Sequence, residues 1–240
     1  MFKKNDIVTI EIIDMGVDGE GIGKVDGYTL FVKDALIGDV AEVKVMKAKK
    51  NYGYARLMRL ITPSPDRVEP VCSVARQCGG FQIQALSYEK QLEFKQQQVI
   101  DQLTRIGHLE LPEIMPILGS EKTRYYRNKL EFTFSNRRWI LSGEDAESLS
   151  TVEKLGLGFH VSGFFDKVLD IKQCHLQREP ANAIRLFIKE YAIKNNLAFF
   201  DLREQTGFLR NMIVRTTSTG EVMLIVVFAH EDVEARKALL

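Results

Sequence analysis

Between Ile7 and Ile61 apolar and polar residues alternate at a period of two and no helical repeat appears, and this pattern restricts the fold more than any other feature of the chain. The runs are Val8-Thr9-Ile10-Glu11-Ile12, Thr29-Leu30-Phe31-Val32, Val40 to Val45 and Tyr54-Ala55-Arg56-Leu57, separated by glycine and aspartate turns. Side chains of a strand point alternately to opposite faces, so each run can line a core with one face and meet water with the other. Several short strands with tight turns predict a small closed β-barrel. Gly19-Glu20-Gly21-Ile22-Gly23 resembles a phosphate-cradling loop, but such a loop must open a helix whose N-terminus faces the anion. A strand follows here instead, so these glycines are read as barrel turns with no cofactor site.

Pro63, Pro65 and Pro70 form a stiff connection after the barrel. They divide the chain into a first domain over 1–64 and a second over 65–240. The second begins with a helix from Ser87 to Gly107, with Ser87 as N-cap and Leu92, Val99, Leu103 and Ile106 as its apolar residues. Strand-like runs follow at Lys129–Phe134, Trp139–Leu141, Leu155–His160, Phe164–Asp170, Leu209–Thr217 and Glu221–Ala229. One helix interrupts them, with Pro180 in its first turn and an apolar stripe at Ala183, Phe187 and Tyr191. Short connections between the runs predict a largely antiparallel sheet with helices, and the whole is an α+β chain. A last helix starts near Glu231 and stops at Leu239-Leu240 without a polar tail, as expected of a piece of a longer polypeptide.

The 240 residues carry a net charge of +1, which excludes a globally basic binder, and no stretch is apolar enough to cross a bilayer. A soluble, cytoplasmic protein with no membrane partner is expected. Any nucleic-acid surface must therefore be local. Six basic residues, Lys44, Lys47, Lys49, Lys50, Arg56 and Arg59, fall within sixteen positions that contain no acid, and Tyr52 and Tyr54 lie among them. Cations neutralise phosphates while aromatic faces stack on unpaired bases, so this segment suits RNA, although a charge run can also be a solvated face. A second basic stretch holds Arg124, Arg127 and Lys129 near Tyr125. If Leu130, Phe132 and Phe134 face a core, Arg127 and Lys129 point outward; the same pattern also serves simply to protect a sheet face or edge.

Three cysteines remain. Cys72 and Cys78 share a glycine-containing loop, Cys174 is remote, and Phe81 follows Cys78-Gly79-Gly80 where a cluster-binding spacing would want a fourth cysteine. Iron–sulfur clusters are usually held by four thiolates. The three are open to reading as degenerate metal positions or as ordinary buried thiols, and a zinc site would need His175 or a carboxylate. His108, His160, His175 and His230 stand singly, and no nucleophile elbow, Walker loop or zinc-protease helix is present.

Gly38-Asp39-Val40, the lysine-rich run to Ala55-Arg56, Pro63-Ser64-Pro65-Asp66-Arg67 and Cys72-(five residues)-Cys78-Gly79-Gly80 together resemble the RNA (uracil-5-)methyltransferase family. Tyr126-Arg127-Asn128-Lys129 is similar to its RNA-contacting segment, and Leu157-Gly158-Phe159-His160 through Cys174 to the stretch that ends in its fourth cluster ligand. The resemblance implies an N-terminal OB-like TRAM barrel, then a central domain carrying a 4Fe-4S loop. It implies methyl transfer from S-adenosylmethionine to C5 of uracil in ribosomal or transfer RNA, through a catalytic cysteine, a carboxylate base and a Rossmann-like domain that nothing in residues 1–240 matches. On this reading the chain binds structured or single-stranded RNA and is inactive alone. Cys72, Cys78 and Cys174 are cluster remnants, because Phe81 stands where cluster-bearing members have cysteine. The other readings are a stand-alone RNA-binding module without chemistry and a redox-sensing metalloprotein.

Overall fold

The computed structural model describes residues 2–240. They group into two compact units interleaved in sequence, where the sequence suggested one cut after residue 64. One unit runs to Val71 and adds Phe81–Glu121, and the other joins Cys72–Gly80 to Lys122–Leu240.

The first unit is built on a closed barrel. Its strands are β1 (Ile7–Met15), β2 (Gly21–Val25), β3 (Tyr28–Lys33), β4 (Val40–Ala48) and β5 (Tyr52–Thr62), in the order β1-β2-β3-β5-β4. All neighbours are antiparallel except β3 and β5, which pair in parallel. Alternation does what it predicts: Ile10, Ile12, Leu30, Val32, Val43, Val45 and Ala55 form the core. The glycine segment read as turns is in fact largely strand β2. A methyl group at Gly23 would lie 2.6 Å from the Ile10 side chain and closer still to the Glu11 carbonyl, and one at Gly21 would lie 2.8 Å from the Ala35 carbonyl. These glycines allow close approach of neighbouring backbone, which is the other use of glycine in a strand.

A buried carboxylate closes the barrel. Asp39 is fully buried and accepts hydrogen bonds from the Leu36 and Ser64 amides (2.7 and 2.9 Å) and from Arg67 Nε and a terminal guanidinium nitrogen (2.8 and 2.7 Å). Burial pushes its pKa up, but the Arg67 fork and the two amides outweigh burial and hold it below the usual carboxylate range. Gly38 precedes it at φ +87°, with a methyl group there 2.8 Å from Ser64 Oγ, so position 38 requires glycine. Two of the family-like motifs, Gly38-Asp39-Val40 and Ser64 to Arg67, are thus the halves of one structural clamp.

Helix α1 (Tyr88–Asp101) starts at Ser87, whose hydroxyl accepts from the Lys90 amide, and runs into a π-helical turn at Gln102–Ile106 that ends at Gly107. Phe94 packs beside Met15, Leu36 and Leu86, but no residue of the helix is fully buried, and the expected apolar residues Val99, Leu103 and Ile106 are exposed.

The second unit holds an antiparallel sheet, β7 (Gly156–Gly158), β6 (Lys129–Ser135), β8 (Leu209–Thr216) and β9 (Val222–Phe228), in that order. Trp139–Leu141 and Phe164–Asp170 are not strands. Their backbone pairs only locally, as in the Trp139 amide to the Val168 carbonyl (2.7 Å) and the Leu169 amide to Phe159 (2.8 Å). Helix α2 (Ala181–Lys194) follows Pro180, and α3 (Val233–Leu239) is capped by Asp232. The expected face of α2 is reversed: Ala183 and Phe187 face solvent, while Ala181, Asn182, Arg185, Ile188 and Ala192 are buried. Asn182 and Arg185 turn inward because irregular backbone needs donors. Asn182 exchanges hydrogen bonds with the Cys174 amide and carbonyl (2.8 and 3.1 Å), and the Arg185 guanidinium donates to the carbonyls of Ile171 and Lys172.

Candidate nucleic-acid interface and cysteine site

The outer wall of the barrel over β3, β5 and β4 carries the first basic segment. Because Leu30, Val32, Val43, Val45 and Ala55 point inward, their neighbours in sequence point out. Register then arranges them in rows. Lys33, Arg56 and Lys44 lie side by side across the three strands, and Phe31, Tyr54 and Lys47 form the next row. Phe31, Tyr52 and Tyr54 meet as a trio, with ring centroids 5.6 to 5.9 Å apart; Tyr52 stands edge-on to the other two. Tyr52 and Tyr54 are 38 % and 44 % exposed, a partly solvated aromatic platform.

Like charges set directly opposite one another destabilise a sheet. Lys44 and Arg56 are so paired, and Arg56 also faces Lys33; among the described residues none of these three, nor Lys47, forms an ion pair. Arg59 differs, reaching Glu42 at 3.8 Å. Lys49 and Lys50 lie at the exposed β4–β5 turn, where the Tyr28 hydroxyl donates to the Lys49 carbonyl at 2.8 Å. A row of uncompensated cations beside clustered rings can grip a phosphate backbone while offering ring faces to bases. Phe31 and Lys33 escaped the sequence reading, although burial of Leu30 and Val32 on alternate positions was enough to turn both outward.

In the second unit Leu130, Phe132 and Phe134 are buried, and Arg124, Arg127 and Lys129 are exposed. Residues 125–127 run beside 175–177. The Tyr125 and Arg127 amides donate to the carbonyls of His175 (2.8 Å) and Leu176 (2.9 Å), and the Tyr125 hydroxyl sits 2.8 Å from His175 Nδ1. Tyr125 adopts φ +55°, so these contacts hold a non-glycine residue in the left-handed region.

All three cysteines belong to this unit, are buried and form no disulfide. The Gly79 amide donates to the His160 carbonyl (3.0 Å), and the Gly80 amide to Cys78 Sγ (3.4 Å). Burial pushes the Cys78 thiol up to about 11, and the nearness of Cys72 and Cys174 adds to the shift. Burial likewise raises Cys174. Among the described residues no group of three or more His, Cys, Asp or Glu side chains is arranged to hold a metal ion. Three thiols do not fit the four-thiolate cluster the family resemblance implies.

Among the described residues no helix is long and apolar enough to cross a membrane. Residues 2–58 match the TRAM domain family. Over 236 residues the chain is 48 % identical to a protein of Porphyromonas gingivalis named an uncharacterized RNA methyltransferase, covering 96 % of this chain and 51 % of that one. A Bacteroides thetaiotaomicron protein of the same name is 45 % identical over 213 residues, 89 % of this chain and 47 % of its own length. The crystal structure of Pyrococcus abyssi tRNA (uracil-54, C5)-methyltransferase in complex with S-adenosyl-L-homocysteine shares the fold, with a TM-score of 0.67 over 96 % of this chain and 48 % of that one, at 24 % identity. The chain spans about half the length of these relatives. The chain thus carries a TRAM domain at its start and is similar, along nearly all of its length, to about half the length of proteins named RNA methyltransferases.

Proposed function

We propose that this chain is the RNA-gripping part of an S-adenosylmethionine-dependent RNA uracil-C5 methyltransferase of the cytoplasm, acting on ribosomal or transfer RNA. The observation that carries the reading is the barrel wall on which Phe31, Tyr52 and Tyr54 cluster beside the row Lys33, Arg56 and Lys44. Structured RNA is read largely at unstacked bases and through its backbone, and this wall offers groups for both. Arg124, Arg127 and Lys129 supply a second contact. The Pyrococcus abyssi protein supports uracil C5 and the methyl donor.

S-adenosylmethionine, when bound, supplies an electrophilic methyl group; no residue of this chain is assigned to hold it. Methylation at C5 needs a cysteine that attacks C6 and a base that later removes the C5 proton. A nucleophilic cysteine works as its thiolate, whereas Cys72, Cys78 and Cys174 are all buried and burial raises the Cys78 and Cys174 thiols, so we assign the nucleophile to none of the three. The chemistry then belongs to polypeptide outside these 240 residues, and the isolated chain binds RNA without methylating it. Cys72, Cys78 and Cys174 are read as the remnant of a cluster site, with no step routed through them.

Fluorescence anisotropy with a labelled uridine-containing RNA hairpin tests the reading. Reversing Lys47, Lys49 and Lys50 to Glu weakens binding and lowers the slope of log Kd against log salt by roughly 0.7 for each phosphate no longer neutralised. Unchanged affinity together with an unchanged slope would remove this wall from RNA recognition.

A further inference from the structure

Strand β9 is apolar at all seven positions, Val222-Met223-Leu224-Ile225-Val226-Val227-Phe228, and none of them is buried. A continuous apolar run is the signature of a strand covered on both faces. Among the described residues the strand lies at the sheet edge, paired only with β8. Register identifies the bare face. Val226 and Leu224 oppose buried Met212 and Val214 on the inner face, whereas Met223, Ile225 and Val227 oppose Arg215, Ile213 and Asn211 on the other. Met223, Ile225 and Val227 are 57 %, 38 % and 37 % exposed.

That outer face changes character across the sheet. Lys129, Arg215 and Met223 form one row, and Glu131, Ile213 and Ile225 the next. It is charged over β6 and apolar over β9. We propose that the β9 half of this face and its free edge form the seat of further polypeptide of the same protein, the half that its RNA methyltransferase relatives possess beyond the matched region. This rests on the methyltransferase reading above. Two observations commit the seat to that occupant rather than to a second copy. The relatives match 96 % of this chain with only about half of their own length, so as much chain again is available to cover it. A twofold β9–β9 pairing would satisfy the edge but leave Met223, Ile225 and Val227 facing water. The chemistry of the occupant follows: an apolar strand to extend the edge and apolar side chains to lie over these three. Lys129 and Arg215 would stay at the margin of the covered area, bringing the proposed RNA contact next to the added domain.

The test mixes residues 1–240 with a separately purified polypeptide comprising the part of the Porphyromonas gingivalis relative that this chain does not match. The expected results are a one-to-one complex by light scattering and amide exchange in β9 slowed by at least about tenfold. The variants I225K and V227K abolish the complex while leaving RNA anisotropy intact, and an unchanged urea transition in the fluorescence of Trp139 shows that the sheet unit still folds. With the added polypeptide shown to be folded by its own cooperative urea transition, no complex, or one that both variants form equally well, overturns the seat. A dimer of 1–240 alone with β9 protected overturns the choice of occupant. Retained RNA binding with no complex would refute this inference and leave the RNA-gripping function standing.

Discussion

Removing the Asp39 carboxylate is the sharpest test of how the barrel is closed. Asp39→Ala deletes four hydrogen bonds, strands the Leu36 and Ser64 amides and leaves the Arg67 guanidinium, whose side chain is only 20 % exposed, with the Asp34 carbonyl but without its carboxylate partner. Each orphaned buried donor costs about 1–3 kcal/mol, and removing one member of a buried pair costs about 3–5 kcal/mol. These terms overlap, and Arg67 regains some hydration, so the net loss is about 3 kcal/mol. For a barrel of this size, at about 4–8 °C per kcal/mol, the melting temperature falls by more than about 10 °C. Urea denaturation followed by tyrosine fluorescence, with Asp39→Ala, Arg67→Ala and the double variant, reads both the loss and the coupling. The double variant should be little worse than either single one. A loss under about 1 kcal/mol, or simple additivity, would refute the clamp. Its pH dependence has a defined sign. The folded pKa of Asp39 lies below its unfolded value, so the contribution is complete above about pH 4 and disappears as pH falls through the lower folded value. Arg67→Ala should lose that acid-side transition.

Tyr52→Ala and Tyr54→Ala should each weaken binding of single-stranded RNA by about 1–3 kcal/mol while leaving the salt slope unchanged, because stacking carries no counterion release; anisotropy across a salt series separates them from the lysine variants. Gly23→Ala should unfold the barrel, since the added methyl group meets Ile10 and the Glu11 carbonyl; a cooperative urea transition like that of the parent would contradict this. At pH 8 iodoacetamide should leave Cys78 and Cys174 unmodified until denaturant is added, as mass spectrometry of the alkylated peptides would show. Anaerobic purification should yield no stoichiometric four-iron cluster by iron and sulfide analysis; four irons per chain would overturn the reading of these thiols as remnants.

The barrel was legible because period-two alternation is a local consequence of strand geometry, and Leu30, Val32, Val43 and Val45 obey it. Strand β2 was not, since Gly21 and Gly23 are there for what a neighbouring strand's backbone demands, a non-local fact. The reversed face of α2 fails for a related reason. A stripe chosen by apolarity alone, Ala183, Phe187 and Tyr191, passes over Asn182 and Arg185, which turn inward to satisfy carbonyls of irregular backbone at 171–174 that no strand or helix can serve. Trp139–Leu141 and Phe164–Asp170 have strand-like composition but spend it on single backbone pairings, which composition cannot foresee.

The candidate RNA wall was half legible for an instructive reason. Lys44 to Arg59 announced itself by excluding acids along the sequence, but the property that marks the wall is two-dimensional: Lys33, Arg56 and Lys44 come from three strands and become neighbours only through the parallel pairing of β3 with β5. The same holds for the sheet face of the second unit. Read singly, Lys129 is a surface lysine and Ile225 a core isoleucine. Register sets them two strands apart on one bare face, where a charged margin gives way to an apolar one. The proposed RNA contact and the proposed seat of a further domain need such a boundary, and it falls across β8, between Lys129 and Arg215 on one side and Ile225 and Val227 on the other.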